Sequence, residues 1–129
     1  MRRKIIAVTI LAFLAGCTTP QRMSMPAAPQ RSTFILFFVP GTARLAPEAE
    51  EIVRQAAGSA VSSRVSKIEI AVPRDAPGGA ALVEGRYTSI QNILSAARVD
   101  SKLLARGNLS DAAANLPGAA DRAELRLLP

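Results

Sequence analysis

This 129-residue chain predicts an α+β fold, with two helices packed on a small mixed sheet in the order β-α-β-α-β. Three observations carry that expectation. An apolar, aromatic run at 34–39 stops at Pro40-Gly41. Two stretches, 47–62 and 80–97, repeat their apolar residues at helical spacing, and two others, 66–72 and 123–128, alternate.

The first strand is Phe34-Ile35-Leu36-Phe37-Phe38-Val39. It holds three of the four phenylalanines and reads as a buried strand that fixes the core. In the first helix, Pro47 suits the opening position, and Glu48, Glu50 and Glu51 sit at the positive end of its dipole. Ala49, Ile52, Val53, Ala56, Ala57 and Ala60 make one apolar face, whose alanines imply close approach to the sheet. Ala46 falls at the cap position, where it cannot accept a hydrogen bond, a loss of about 1 kcal/mol against Ser or Thr.

From Ser66 to Val72 the chain alternates, with Ile68, Ile70 and Val72 on one face and Lys67, Glu69 and Ala71 on the other. Pro73, Asp75, Pro77, Gly78 and Gly79 then force a loop. The second helix places Val83, Tyr87, Ile90, Leu94 and Ala97 in its core stripe, with Leu82 and Ile93 at the edge. After an apolar pair at Leu103-Leu104, residues 105–121 are rich in Ala, Asn, Gly and Asp, and predict a loop with one helical turn. Residues 123–128 close the domain as a strand.

Upstream of this domain the composition changes. Residues 18–33 hold three prolines, two glutamines and small polar residues, the composition of a flexible tether. Fully stretched, sixteen residues reach about 55 Å, and as a relaxed coil about 20–24 Å. Before the tether stand Arg2, Arg3 and Lys4, then an apolar stretch from Ile5 to Gly16, too short to span a bilayer, and then Cys17.

The run Leu14-Ala15-Gly16-Cys17 behind a basic tip and an apolar segment resembles a bacterial lipoprotein signal peptide with its lipobox. That resemblance implies removal of residues 1–16, lipidation of Cys17, and an anchored protein. Thr18 after the cysteine, in place of Asp, implies delivery to the outer membrane, with the domain facing the periplasm. Cleavage leaves 113 residues with 13 basic and ten acidic side chains, so the net charge falls from +6 to +3. The remaining cations are dispersed and aromatics are few, which argues against nucleic acid as a partner.

Enzyme chemistry has little to work with. The chain has no histidine, and Cys17 is its one cysteine, so with that thiol lipidated neither an imidazole nor a thiol remains as nucleophile, base or metal ligand. No paired acid and base suggests carboxylate catalysis. The expectation is a non-enzymatic chain without metal or cofactor.

The stretch FFVPGTARLAPEAEEIVRQAA looks like the opening of an OmpA-like, peptidoglycan-associated domain. KIEIAVPRD resembles that family's second strand and the loop after it, and Arg122-Ala123-Glu124-Leu125 resembles its closing strand. The similarity covers residues 34–128. It implies two ligand-binding residues, Asp75 after the second strand and Arg86 on the second helix, four residues beyond Leu82. In the family, such a pair grips the zwitterionic diaminopimelate of the peptidoglycan stem peptide: the carboxylate takes the ammonium and the guanidinium takes the carboxylate. Arg122 is carried over as a supporting residue or as ordinary strand decoration. This chain departs from the family pattern at Val72, Pro73, Gly79, Val83, Tyr87 and Arg98, and its loop between Asp75 and Arg86 is shorter.

Two functions follow from the resemblance. One is a lipoprotein that binds the cell wall. The other is a degenerate domain that has lost the ligand and serves as a subunit of an envelope complex, for secretion or conjugation, through a protein partner.

Overall fold

The computed structural model describes residues 32–129 apart from Ala76. The expected signal segment, Cys17 and the expected tether through residue 31 lie outside the described residues. Strand β1 spans Ser32–Phe37, helix α1 Pro47–Ser63, β2 Lys67–Ala71 and helix α2 Gly79–Ala96. Strand β3 (Leu104–Gly107), a four-residue helix α3 (Asp111–Ala114) and β4 (Arg122–Leu128) complete the elements of the described residues, with 3₁₀ turns at Ser101–Leu103 and Ala119–Asp121.

The four strands form one mixed sheet in the order β1-β4-β2-β3. β4 is antiparallel to both β1 and β2, while β2 and β3 run parallel. A parallel pair needs a crossover, and α2 provides it. The α+β architecture expected of the sequence is what the chain adopts.

One face of the sheet is apolar and covered. Leu36, Ala123, Leu125, Leu127, Ile68 and Ile70 meet Ala49, Val53, Ala56, Ala57 and Ala60 from α1 and Ile90 and Leu94 from α2, all buried. The alanines of α1 let its backbone lie close to the strands, so burial is gained with little side-chain entropy lost.

The other face carries a ladder of charge. Arg122 pairs with Glu124 at 3.0 Å, Glu124 with Arg126 at 2.7 Å, and Arg126 with Glu69 at 2.8 Å. Burial pushes the Glu124 carboxyl up, but Arg126 and Arg122 outweigh it and hold it below the usual range. Gly107 belongs to this arrangement: a Cβ there would stand 2.3 Å from the Glu69 carboxylate, which lies over the strand.

Several expectations need correction. β1 is an edge strand and alternates instead of being buried throughout: Leu36 is sealed, whereas Ile35 and Phe37 are 42% and 48% exposed. Ser32 and Thr33, assigned to the tether, already belong to that strand. The stretch 105–121 is not mainly loop, since β3 enters the sheet there by pairing Ile68–Ala71 with Leu104–Gly107. The stripe's last member, Ala97, falls just past the end of α2 and is exposed. Arg86 is fully buried among the core positions of that helix.

Both long helices end in the same way. Val65 donates to the Ala60 carbonyl after α1, and Val99 donates to the Leu94 carbonyl after α2. The residues between, Arg64 and Arg98, hold left-handed backbone with φ of 50° and 64°. These are Schellman ends with arginine where glycine is usual. At the other end of α1, Ala46 caps without a side-chain bond, as its identity dictates.

Candidate functional site

The parallel pair β2 and β3 ends at one edge of the molecule, and the chain turns away from both strands there. The segment after β2 gives Val72, Pro73, Arg74 and Asp75; the segment after β3 gives Asn108 and Leu109. With Asp111 and Ala114 of α3, and Ala119 and Ala120 before β4, they line a half-open cavity of about 430 Å³. Carboxyl ends of parallel strands are where open sheets commonly leave such a crevice. The volume falls within the range of small-molecule sites, about 300–1,000 Å³.

A second hollow of about 210 Å³ adjoins it, lined by Ile70, Val83, Tyr87, Arg106 and Gly107 and sharing Val72, Arg74 and Asn108 with the first. Arg106 stacks on Tyr87 at 4.3 Å from the ring centre and forms a two-pronged pair with Glu84. The Arg106 guanidinium holds the Glu84 carboxyl below its ordinary range. Entry to α2, which carries Val83, Glu84 and Tyr87, depends on Gly78: at φ 124° a Cβ would press to 2.7 Å from Leu82 Cδ2.

The two residues that the sequence nominates are treated very differently. Asp75 is exposed and lies on the wall of the larger cavity. Arg86 lines neither hollow. Its Nε donates to the Thr42 carbonyl at 2.9 Å, Nη1 donates to the Ala120 carbonyl, and Nη2 donates to Asp121 Oδ1 at 2.6 Å. Its guanidinium also sits 4.7 Å from the centre of the Phe38 ring.

Arg86 therefore ties α2 to two separated pieces of chain, the β1–α1 loop and the turn before β4. Asp121 completes the joint by accepting from the Gly41 N–H at 3.2 Å, and its own carbonyl accepts from Phe38 N–H at 2.9 Å. The Arg86 guanidinium keeps the Asp121 carboxyl below the ordinary range against the opposing effect of burial. Through Ala120, which is part of the cavity wall, this joint sets the shape of the larger cavity.

Arg122 lies on the sheet's charged face in its pair with Glu124 and lines neither hollow. Sequence reasoning missed Asp121, Asn108 and Asp111. Asp121 is 35 residues from its partner, and no local pattern announces it. Arg86 did leave a signal: it stands four and eight residues before Ile90 and Leu94, both buried. Among the described residues, no group of three His, Cys, Asp or Glu side chains is placed to hold a metal ion. Among them, too, no helix is long and apolar enough to cross a membrane.

No protein-family model matches the chain, and no curated protein matches it by sequence. Its fold is similar to that of solved OmpA-like domains. The OmpA-like domain of FopA1 from Francisella tularensis superposes with a TM-score of 0.61 at 13% identity, over 77% of this chain and 73% of that one. The peptidoglycan-associated lipoprotein of Burkholderia pseudomallei gives 0.54 at 20% identity, over 70% and 86%. The periplasmic domain of Helicobacter pylori MotB gives 0.56 at 15% identity, over 77% and 83%.

Proposed function

We propose that this chain is a non-catalytic cell-envelope lipoprotein, held at the outer membrane by lipidated Cys17, whose OmpA-like domain binds the peptidoglycan stem peptide from the periplasmic side. The observation that carries the reading is the cavity at the ends of β2 and β3 with Asp75 on its wall, in a fold shared with a peptidoglycan-associated lipoprotein. Asp75 accepts the ammonium of the diaminopimelate residue. Arg86 acts from behind the wall, by holding Ala120 and Asp121 in place. Acyl chains at Cys17 and a tether of about fourteen residues, 18–31, keep the domain within reach of a wall close to the membrane.

Co-sedimentation with purified peptidoglycan tests this. The wild-type protein pellets with the polymer, and Asp75→Ala, whose side chain is exposed and outside the core, pellets at least about tenfold less, the expected loss of one charge-assisted contact. Equal retention of the two proteins would refute Asp75 as the ligand contact.

A second reading has its own support in the exposed Ile35 and Phe37 of the edge strand, which offer apolar contact to a protein partner. Under it the domain is a structural subunit of an envelope complex. Crosslinking from position 37 in intact cells then recovers one specific protein, and peptidoglycan binding is absent.

A further inference from the structure

We infer that Arg74, rather than Arg86, supplies the positive charge that meets the ligand's carboxylate; this rests on the peptidoglycan reading above and names the second half of its site. Arg86 has no surface exposure, and each of its three guanidinium nitrogens already donates to a protein oxygen. To reach a ligand it must leave its buried position and give up its bonds to the Thr42 and Ala120 carbonyls and to the Asp121 carboxylate. Arg74 is placed the opposite way. It is exposed, it directly precedes Asp75, and it lines both hollows, on the ridge they share with Asn108. Among the described residues, no carboxylate forms an ion pair with it.

The charges around the ridge are therefore those of a receptor for a zwitterion. Asp75 and Asp111 line the larger cavity and attract an ammonium, and Arg74 beside them offers a fork for a carboxylate. A free amino-acid centre bearing both charges fits this set. An ordinary mid-chain peptide unit does not, because it carries neither.

The experiment compares two synthetic stem peptides, one with the free diaminopimelate carboxylate and one with that group amidated, titrated into full-length wild-type protein and Arg74→Gln. Wild type is expected to bind the free acid about tenfold more tightly than the amide. Arg74→Gln should bind both with the affinity wild type has for the amide, with an unchanged melting temperature. Arg74→Lys, keeping the charge without the fork, should recover part of the preference. If Arg74→Gln keeps the full tenfold preference, Arg74 is not the carboxylate's partner, while the peptidoglycan reading stands. Should wild type bind neither peptide, both the reading and this inference fall.

Discussion

Two arginines twelve residues apart in this chain face opposite worlds. Arg86 is sealed under the turn before β4, with carbonyls, a carboxylate and an aromatic ring around its guanidinium. Arg74 stands exposed on the ridge between two hollows. Position relative to a helix or a strand does not by itself assign a cation its role. Once a guanidinium has been desolvated and given fixed partners, moving it to a new one sacrifices bonds already made. An exposed one loses only water. The same side chain thus serves as joint in one place and as receptor in the other.

The sharpest way to break this contrast is through Asp121. Asp121→Ala leaves the buried Arg86 cation without its counter-charge, and the expected loss is about 3 kcal/mol. For a domain of this size that lowers the melting temperature by more than about 12 °C. Asp75→Ala and Arg74→Gln, both at exposed positions, should stay within about 0.5 kcal/mol of wild type. Equal melting of Asp121→Ala and Asp75→Ala would erase the distinction between joint and receptor.

Acid should weaken the joint more gradually. The Asp121 carboxyl is held low by the Arg86 guanidinium and the Gly41 N–H, so its folded pKa lies below its unfolded one. Its contribution to stability is complete above the ordinary carboxylate value of about 3.9 and fades as pH falls through the lowered folded value. Denaturant midpoints measured between pH 6 and 2.5 should fall most steeply below about pH 4. Asp121→Asn should flatten that fall in part, the remainder coming from Glu124 on the opposite face, whose pKa is lowered as well. A slope identical in Asp121→Asn and wild type would count against the ion pair.

The smallest expected effects come from the helix ends, which belong to neither region. Ala46→Ser supplies the missing cap of α1 and should raise stability by about 1 kcal/mol. Arg98→Gly relieves the left-handed backbone after α2 and should add about 0.5–1 kcal/mol. Neither residue lines the hollows, so ligand titrations on these stabilised backgrounds should give the wild-type affinity. They sharpen the comparison by separating global stability from recognition.

Much of the fold was legible because its signals are local. Helical spacing from Ala49 to Ala60 and alternation from Ile68 to Val72 each reflect one face meeting the core. β3 was not legible, because Leu-Ala-Arg-Gly is too short and too mixed to show a period. It becomes a strand only because β2 offers it a parallel edge. The six apolar residues from Phe34 suggested burial on both sides, yet the strand lies at the sheet's edge, where Ile35 and Phe37 meet solvent. The candidate site was half legible. Asp75 could be placed from the loop after β2, but the depth of Arg86 depends on Thr42, Ala120 and Asp121, contacts that span 34 to 44 residues of chain.

The sheet order has a consequence for how the molecule comes into being. Among the described residues β4 comes last in order, and it lies between β1, the first of them, and β2. Until residues 122–128 have emerged, β1 has no neighbour in the sheet and Arg86 lacks Asp121. A nascent chain of this sequence cannot close its sheet before β4 is available. Closure of the sheet waits on β4, the strand that joins β1 to β2.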